Sequence, residues 1–212
     1  MRRELHVRFC EGGGVRFPSA TRLVMEFEHR QDAERCLAAW QTRLEPFGLA
    51  LHPDKTRLLE FGRFAAMNRQ RRGAGKPETF DFLGFTPVCG TTRRTGKFMV
   101  HRRPARKRLR TKLKRVKLEL QQRWHEAIPQ VGAWLQRVVR GYFNYHAVAG
   151  NLESLSRFRT QLLWLWLRTL RRRGQRRPLT WARFGPIAAR WIPGPRILHP
   201  YPDVRFAASH PR

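Results

Sequence analysis

The chain has 212 residues and carries 44 Lys or Arg against 15 Asp or Glu, a formal net charge of +29. Charge of that size makes a polyanion the expected partner, because its field draws nucleic acid in at long range and in a salt-dependent way. A hydrophobic share of 41%, with seven Trp and fourteen Phe, excludes a disordered basic tail and predicts a folded chain of two small domains.

The amino terminus, Met1-Arg2-Arg3 followed by His6, Arg8, Glu11 and Gly12 to Gly14, lacks the apolar core of a signal peptide. Residues 1–26 show no clear periodicity, and Gly12-Gly13-Gly14 with Pro18 reads as loop. From His29, the recurrence of Ala33, Leu37, Trp40 and Leu44 predicts a helix that Gly48 closes. A strand is expected at Leu49-Ala50-Leu51 and, beyond the turn at Pro53, a second extended segment over Thr56 to Phe61. Residues 62–79, rich in Arg, Gly and Gln, read as a mobile basic loop. Phe80 to Val88 and Lys97 to Val100 then read as a hairpin joined through Gly90 to Gly96.

After Pro104 the composition shifts to basic helices. Leu109, Leu113, Val116, Leu120 and Trp124 draw one narrow apolar stripe, surrounded by Arg106, Lys107, Arg108, Arg110, Lys112, Lys114, Arg115, Lys117 and Arg123. A second helix is expected over Gln130 to His146 with Trp134, Leu135, Val138, Val139 and Tyr142 inward. A third starts at the N-cap Asn151, turns Leu152, Leu155, Phe158, Leu162 and Trp166 inward, and ends at Gly174. Three narrow stripes bury themselves only against one another, which predicts a small bundle. The Pro-, Trp- and Arg-rich tail, 177–212, is expected to wrap that bundle without long regular elements. The longest apolar stretch, around Leu162 to Leu170, is broken by Arg168 and falls short of the roughly 20 residues of a membrane span, so no membrane partner is expected.

Cys10, Cys36 and Cys89 are odd in number and never form a Cys-x-x-Cys pair, so neither a disulfide framework nor a zinc knuckle is signalled and a reducing cytoplasm fits. The His residues are scattered without ligand spacing, and Gly12 to Gly14 lacks the Lys-Ser/Thr of a phosphate loop. No metal or cofactor is called for by these residues.

Glu28-His29-Arg30-Gln31-Asp32-Ala33, Phe47-Gly48-Leu49, His52-Pro53-Asp54-Lys55-Thr56 and Glu60-Phe61-Gly62-Arg63 resemble the rear palm of bacterial group II intron reverse transcriptases. Gly75-Lys76-Pro77-Glu78-Thr79-Phe80-Asp81-Phe82-Leu83-Gly84-Phe85 is similar to a later palm segment of that family. Arg140-Gly141-Tyr142-Phe143-Asn144-Tyr145-His146-Ala147-Val148 resembles its maturase-specific thumb, and Pro195-Arg196-Ile197-Leu198-His199-Pro200-Tyr201-Pro202 closes the match, which covers roughly residues 27–206. The resemblance implies an α+β fold: a divergent segment over 1–26, a truncated palm of a helix on a small antiparallel sheet over 27–103, a thumb-like three-helix bundle over 104–176, and the tail.

The departures bear on activity. Where the family carries its catalytic Asp-Asp turn, this chain reads Arg16-Phe17-Pro18-Ser19-Ala20-Thr21-Arg22-Leu23, and its four Asp residues, Asp32, Asp54, Asp81 and Asp203, are never adjacent. Polymerases hold two divalent cations about 3.5–4 Å apart on clustered carboxylates. Polymerase activity by this chain alone is therefore not expected. Mg2+ matters only for an alternative in which fingers and palm come from an upstream reverse-transcriptase fragment, while a degenerate mobile-element remnant is a third reading. Lys55, Asp81, Phe82, Leu83 and Gly84 stand as palm-motif remnants. Lys55 is either near the family's nucleotide position or a plain turn lysine, and Gly84 either admits a nucleic-acid strand or bends a sheet.

The family's maturase role is non-covalent binding of intron RNA, which needs cationic surfaces on a rigid scaffold. Structured RNA, above all group II intron RNA, is the implied partner. The expected contacts are the basic helix (Arg106, Lys107, Arg110, Lys112, Lys114, Arg115, Lys117, Arg123), the pairs Arg71-Arg72 and Arg93-Arg94, Arg140, and the run Arg171-Arg172-Arg173. Asn144, Tyr145 and His146 could donate or stack. Tyr142 is read as core, as are Trp164, Trp166, Trp181 and Trp191.

Overall fold

A computed structural model describes residues 5–10, 22–92, 95–173 and 179–201. The chain divides into two compact units, Met1–His101 and Arg102–Arg212.

The first unit is α+β. Strands β1 (Leu5–Cys10), β2 (Arg22–Phe27) and β3 (Arg57–Glu60) form an antiparallel sheet in the order β2-β1-β3. Leu5 faces both Phe27 and Glu60 across the ladder, so the earliest strand lies in the middle. This corrects the reading of residues 1–26 as devoid of regular structure; Gly12 to Gly14 and Pro18 lie outside the described residues. Helix α1 (Arg30–Leu44) buries Ala33 against Met25, Phe27, Leu37, Leu51 and Leu58, as its spacing predicts.

The chain leaves α1 through a 3-10 turn, Glu45–Phe47, and Gly48 in the left-handed region at φ 66°. The expected strand at Leu49-Ala50-Leu51 does not form. Leu51 packs beneath α1 without a ladder partner, and the chain goes directly into a turn in which Lys55 and Thr56 donate to His52 O at 3.1 and 2.9 Å. Residues 62–79 are not a featureless loop either, because they hold helix α2 (Ala65–Arg71). Two carboxylates far off in sequence fix it. Asn68 Nδ2 donates to Glu60 Oε1 at 3.1 Å, Arg72 also pairs with Glu60, and Arg69 Nη1 donates to Glu78 Oε1 at 3.4 Å. A second small core joins Leu59, Phe61 and Phe80, the last two edge to face.

Strands β4 (Phe85–Thr91) and β5 (Phe98–Pro104) make the expected hairpin, with β4 starting later than its apolar run suggests. The residues before it turn back on themselves. Phe82 and Phe85 exchange both backbone hydrogen bonds, at 2.8 and 2.9 Å, around Leu83 and Gly84, whose φ values are 45° and 80°. Two positive φ angles in a two-residue loop define the mirror-image turn that favours Gly. Gly84 is therefore explained by the turn, and the side chain of Leu83 is exposed.

The second unit is a bundle of four helices, not three: α3 (Arg106–Gln122), α4 (Ile128–His146), α5 (Leu152–Arg171) and α6 (Trp181–Trp191). Its core joins Val116, Leu120, Leu135, Val139, Phe158, Leu162, Trp166, Phe184 and Ile192 among others. Trp124 drops out of the α3 stripe because the helix ends before it, and Gly174 lies outside the described residues. Asn151 precedes α5 as expected but does not cap it with its side chain; it is buried, and its Nδ2 donates to His146 O at 3.3 Å.

Helix α6 is the main correction to the tail. Thr180 caps it by accepting from Arg183 N at 3.4 Å, and Phe184 and Ala188 are buried. Pro186 removes one donor inside the helix, a cost that burial of Phe184, Ala188 and Ile192 offsets at about 1.5–3 kcal/mol for each large side chain. A following strap lies on the end of α4: Leu198 and His199 both donate to Ala147 O, at 2.9 and 3.0 Å. Arg159 ties its beginning to α5, donating from Nε to Pro193 O at 3.1 Å.

Candidate nucleic-acid interface

The apolar stripe of α3 decides which way its charge points. Val116 and Leu120 are buried and Leu109 and Leu113 pack against the same core, so the helix cannot rotate without exposing them. Arg106, Lys107, Arg108, Arg110, Lys112, Lys114, Arg115 and Lys117 are thereby all held exposed. The first acid after them is Glu119, which pairs with Arg123 at 3.6 Å. Among the described residues none of the eight forms an ion pair, so their field is not neutralised locally. They lie along several turns at a rise of about 1.5 Å per residue, a length over which a helix can meet successive phosphates.

Other expected contacts separate into free and committed cations. Arg123 bridges Glu119 and Glu126, the latter at 2.9 Å, and sits 5.2 Å over the Trp134 ring. Arg173 is a structural clamp: Nη1 donates to Glu126 O at 2.7 Å and Nη2 to Arg123 O at 3.1 Å, closing the carbonyls exposed after α3. Arg171 donates from Nε to Leu179 O at 2.8 Å. Arg72 is held by Glu60. Arg71, Arg140 and Arg172 are exposed, and Arg93 and Arg94 lie outside the described residues. No sequence signal separates these groups, because the partners of Arg173 are backbone carbonyls some 50 positions away.

At the end of α4, Tyr142 stacks on Phe158 with ring centroids 3.8 Å apart, which bears out its place in the core. Burial pushes its phenol up to about 12. Asn144 is exposed and its carbonyl lies 2.7 Å from His199 Nε2, while Tyr145 is half exposed. His146 is partly buried between the rings of Tyr142 and Tyr145, at 4.3 and 4.9 Å. Burial, and then the nearby Arg108 charge, lower its pKa to about 4. At neutral pH it adds no charge to the surface.

The His146 shift has a measurable consequence. The folded state resists a proton that the unfolded chain accepts near pH 6.5. Stability is full above about pH 6.5 and is lost as pH falls toward 4. Thermal melts across that window should show the decline, and a His146→Phe variant should flatten it. NMR titration should place the His146 midpoint near 4; a midpoint near 6.5 would remove the explanation.

Lys55 is exposed in the His52 turn, and Asp81 accepts from Thr86 Oγ1, so both serve local turns. Among the described residues no group of three or more His, Cys, Asp or Glu is gathered to hold a metal, and no helix is long and apolar enough to cross a membrane. The tryptophans divide. Trp166 is fully buried and Trp191 packs on the core, but Trp164 and Trp181 are exposed and stacked on each other, against the expectation of core positions. No protein-family model matches the sequence, and no curated protein matches it significantly.

Proposed function

We propose that this chain is a maturase-type module that binds structured RNA, specifically group II intron RNA, and supports its folding without copying it. The observation that carries the reading is α3, eight exposed cations with no acid among them on a helix whose other side is fixed in a bundle. Rigid placement matters because A-form RNA is recognised by shape, phosphates and 2′-hydroxyls, which a mobile basic tail cannot discriminate. The order and spacing of the palm-like and thumb-like motifs add the intron as the RNA in question.

The test is binding of the purified protein to the group II intron RNA nearest its coding sequence and to an unrelated structured RNA of equal length, each across a salt series. At about 0.15 M salt, exposed charges more than about 8 Å apart are largely screened. Intron RNA is expected to remain at least about tenfold tighter there. Equal weakening of both RNAs would leave only polyanion attraction and sink the maturase reading.

A further inference from the structure

Trp164 lies on the outward stripe of α5 together with Arg157, Thr160, Gln161, Arg168 and Arg171, all exposed. A tryptophan in such a row has no burial to justify it. It meets Trp181, the first residue of α6, with ring centroids 4.9 Å apart and planes 28° from parallel. The pair is still open to solvent, Trp164 being 53% and Trp181 43% exposed. The second indole is fixed rather than mobile. Arg171 holds the carbonyl just before it, Thr180 caps its helix, and Phe184 lies 5.6 Å from its ring.

The chemistry around the pair indicates what it takes. A protein-docking patch is a contiguous apolar area of some hundreds of square ångströms, whereas here one indole pair stands in a row of arginines and neutral polar groups. A flat π surface beside guanidinium groups fits a ligand with a flat face and a flanking negative charge, which is a nucleotide. Base stacking on aromatic side chains accepts any base but requires it to be unpaired.

We propose that Trp164 and Trp181 form a stacking platform for an unpaired RNA base, with Arg168 positioned for the adjoining phosphate. The inference rests on the RNA-binding reading and adds the class of RNA element sought: a loop, bulge or single-stranded junction. It makes the protein a reader of two features, a charged backbone along α3 and a splayed base at the platform.

The test uses the full chain and two RNA hairpins of equal length and charge, one with an adenosine-rich bulge and one fully paired in its stem. Trp164→Ala is expected to weaken the bulged RNA about 5- to 150-fold while leaving the paired RNA within about twofold and the melting temperature nearly unchanged. Trp164→Phe should restore part of the loss. The salt slope should stay as in the parent, because stacking releases no counterions. Equal affinity of parent and Trp164→Ala for the bulged RNA would overturn the platform while leaving RNA binding intact. A change in oligomeric state with Trp164→Ala would assign the pair to self-association and overturn it too. Failure of the parent to bind either hairpin would overturn the RNA reading and the platform together.

Discussion

Replacing Lys107, Arg110, Lys114 and Lys117 together with Gln is expected to weaken structured-RNA binding about 200- to 1,000-fold at about 0.15 M salt. The four side chains follow one another along a single exposed stripe of α3, spaced three, four and three residues apart. Each phosphate contact contributes about 0.7–0.9 to the slope of log affinity against log salt, so losing four removes roughly three from that slope. The fold should be unaffected. Glutamine is a good helix former, the positions are exposed, and the stripe of Leu109, Leu113, Val116 and Leu120 is untouched. The control is the same number of neutralisations in the first unit, at Arg43, Arg63, Arg71 and Lys76, all exposed. If both variants lose affinity and slope equally, the charge acts as a diffuse cloud and α3 is not the binding face.

Trp166→Ala is expected to cost about 3–5 kcal/mol and to lower the melting temperature of the bundle by more than about 10 °C. Trp166 is fully buried, with the ring of Phe184 edge-on at 5.3 Å, and its neighbours Leu162, Leu163, Leu167 and Leu170 leave no small group able to collapse into the space. A domain whose whole stability is about 5–15 kcal/mol loses much of it. Two residues earlier on the same helix, Trp164→Ala is expected to cost about 1 kcal/mol, the value of one exposed aromatic pair. Paired thermal melts decide the matter, and similar losses at both positions would contradict the assignment of one Trp to the core and the other to the surface.

Those two tryptophans also show what periodicity can and cannot deliver. Phe158, Leu162 and Trp166 recur every fourth residue and mark the inward face of α5, with Trp164 over half a turn away from it. The stripe of α3 and the inward residues of α4 were equally plain, because local spacing reports a helix face directly. Strand β1 is harder to see. Leu5, Val7 and Phe9 do alternate with His6 and Arg8, but six residues beside a glycine run are a weak signal, and the strand's partners come as late as Glu60. Helix α2 lies in a segment whose composition suggests a loop, and only Glu60 and Glu78 stabilise it as a helix. In α6 the Pro residues dominate a local reading, whereas Phe184 and Ala188 buried at helical spacing determine the outcome.

The candidate interface was legible in part for the same reason. Charge on α3 is a property of the sequence, so its cations could be named without coordinates. Whether an arginine is free depends on distant partners, and Arg123, Arg173 and Arg72 differ from Arg140 only in what the fold brings to them. The stacked indoles lay hidden because Trp164 and Trp181 belong to different helices.

The strap and α6 bear on the order in which the molecule is made. A ribosome releases α3 well before Phe184, Ala188 and Ile192, which complete the core on which α3 rests, and chains generally begin to fold from their amino-terminal end as they emerge. For that interval the basic helix is already synthesised but its support is incomplete, and it attracts any nearby RNA, messenger and ribosomal alike. Discrimination between RNAs thus arrives late in translation, once residues beyond Trp191 have closed over α4.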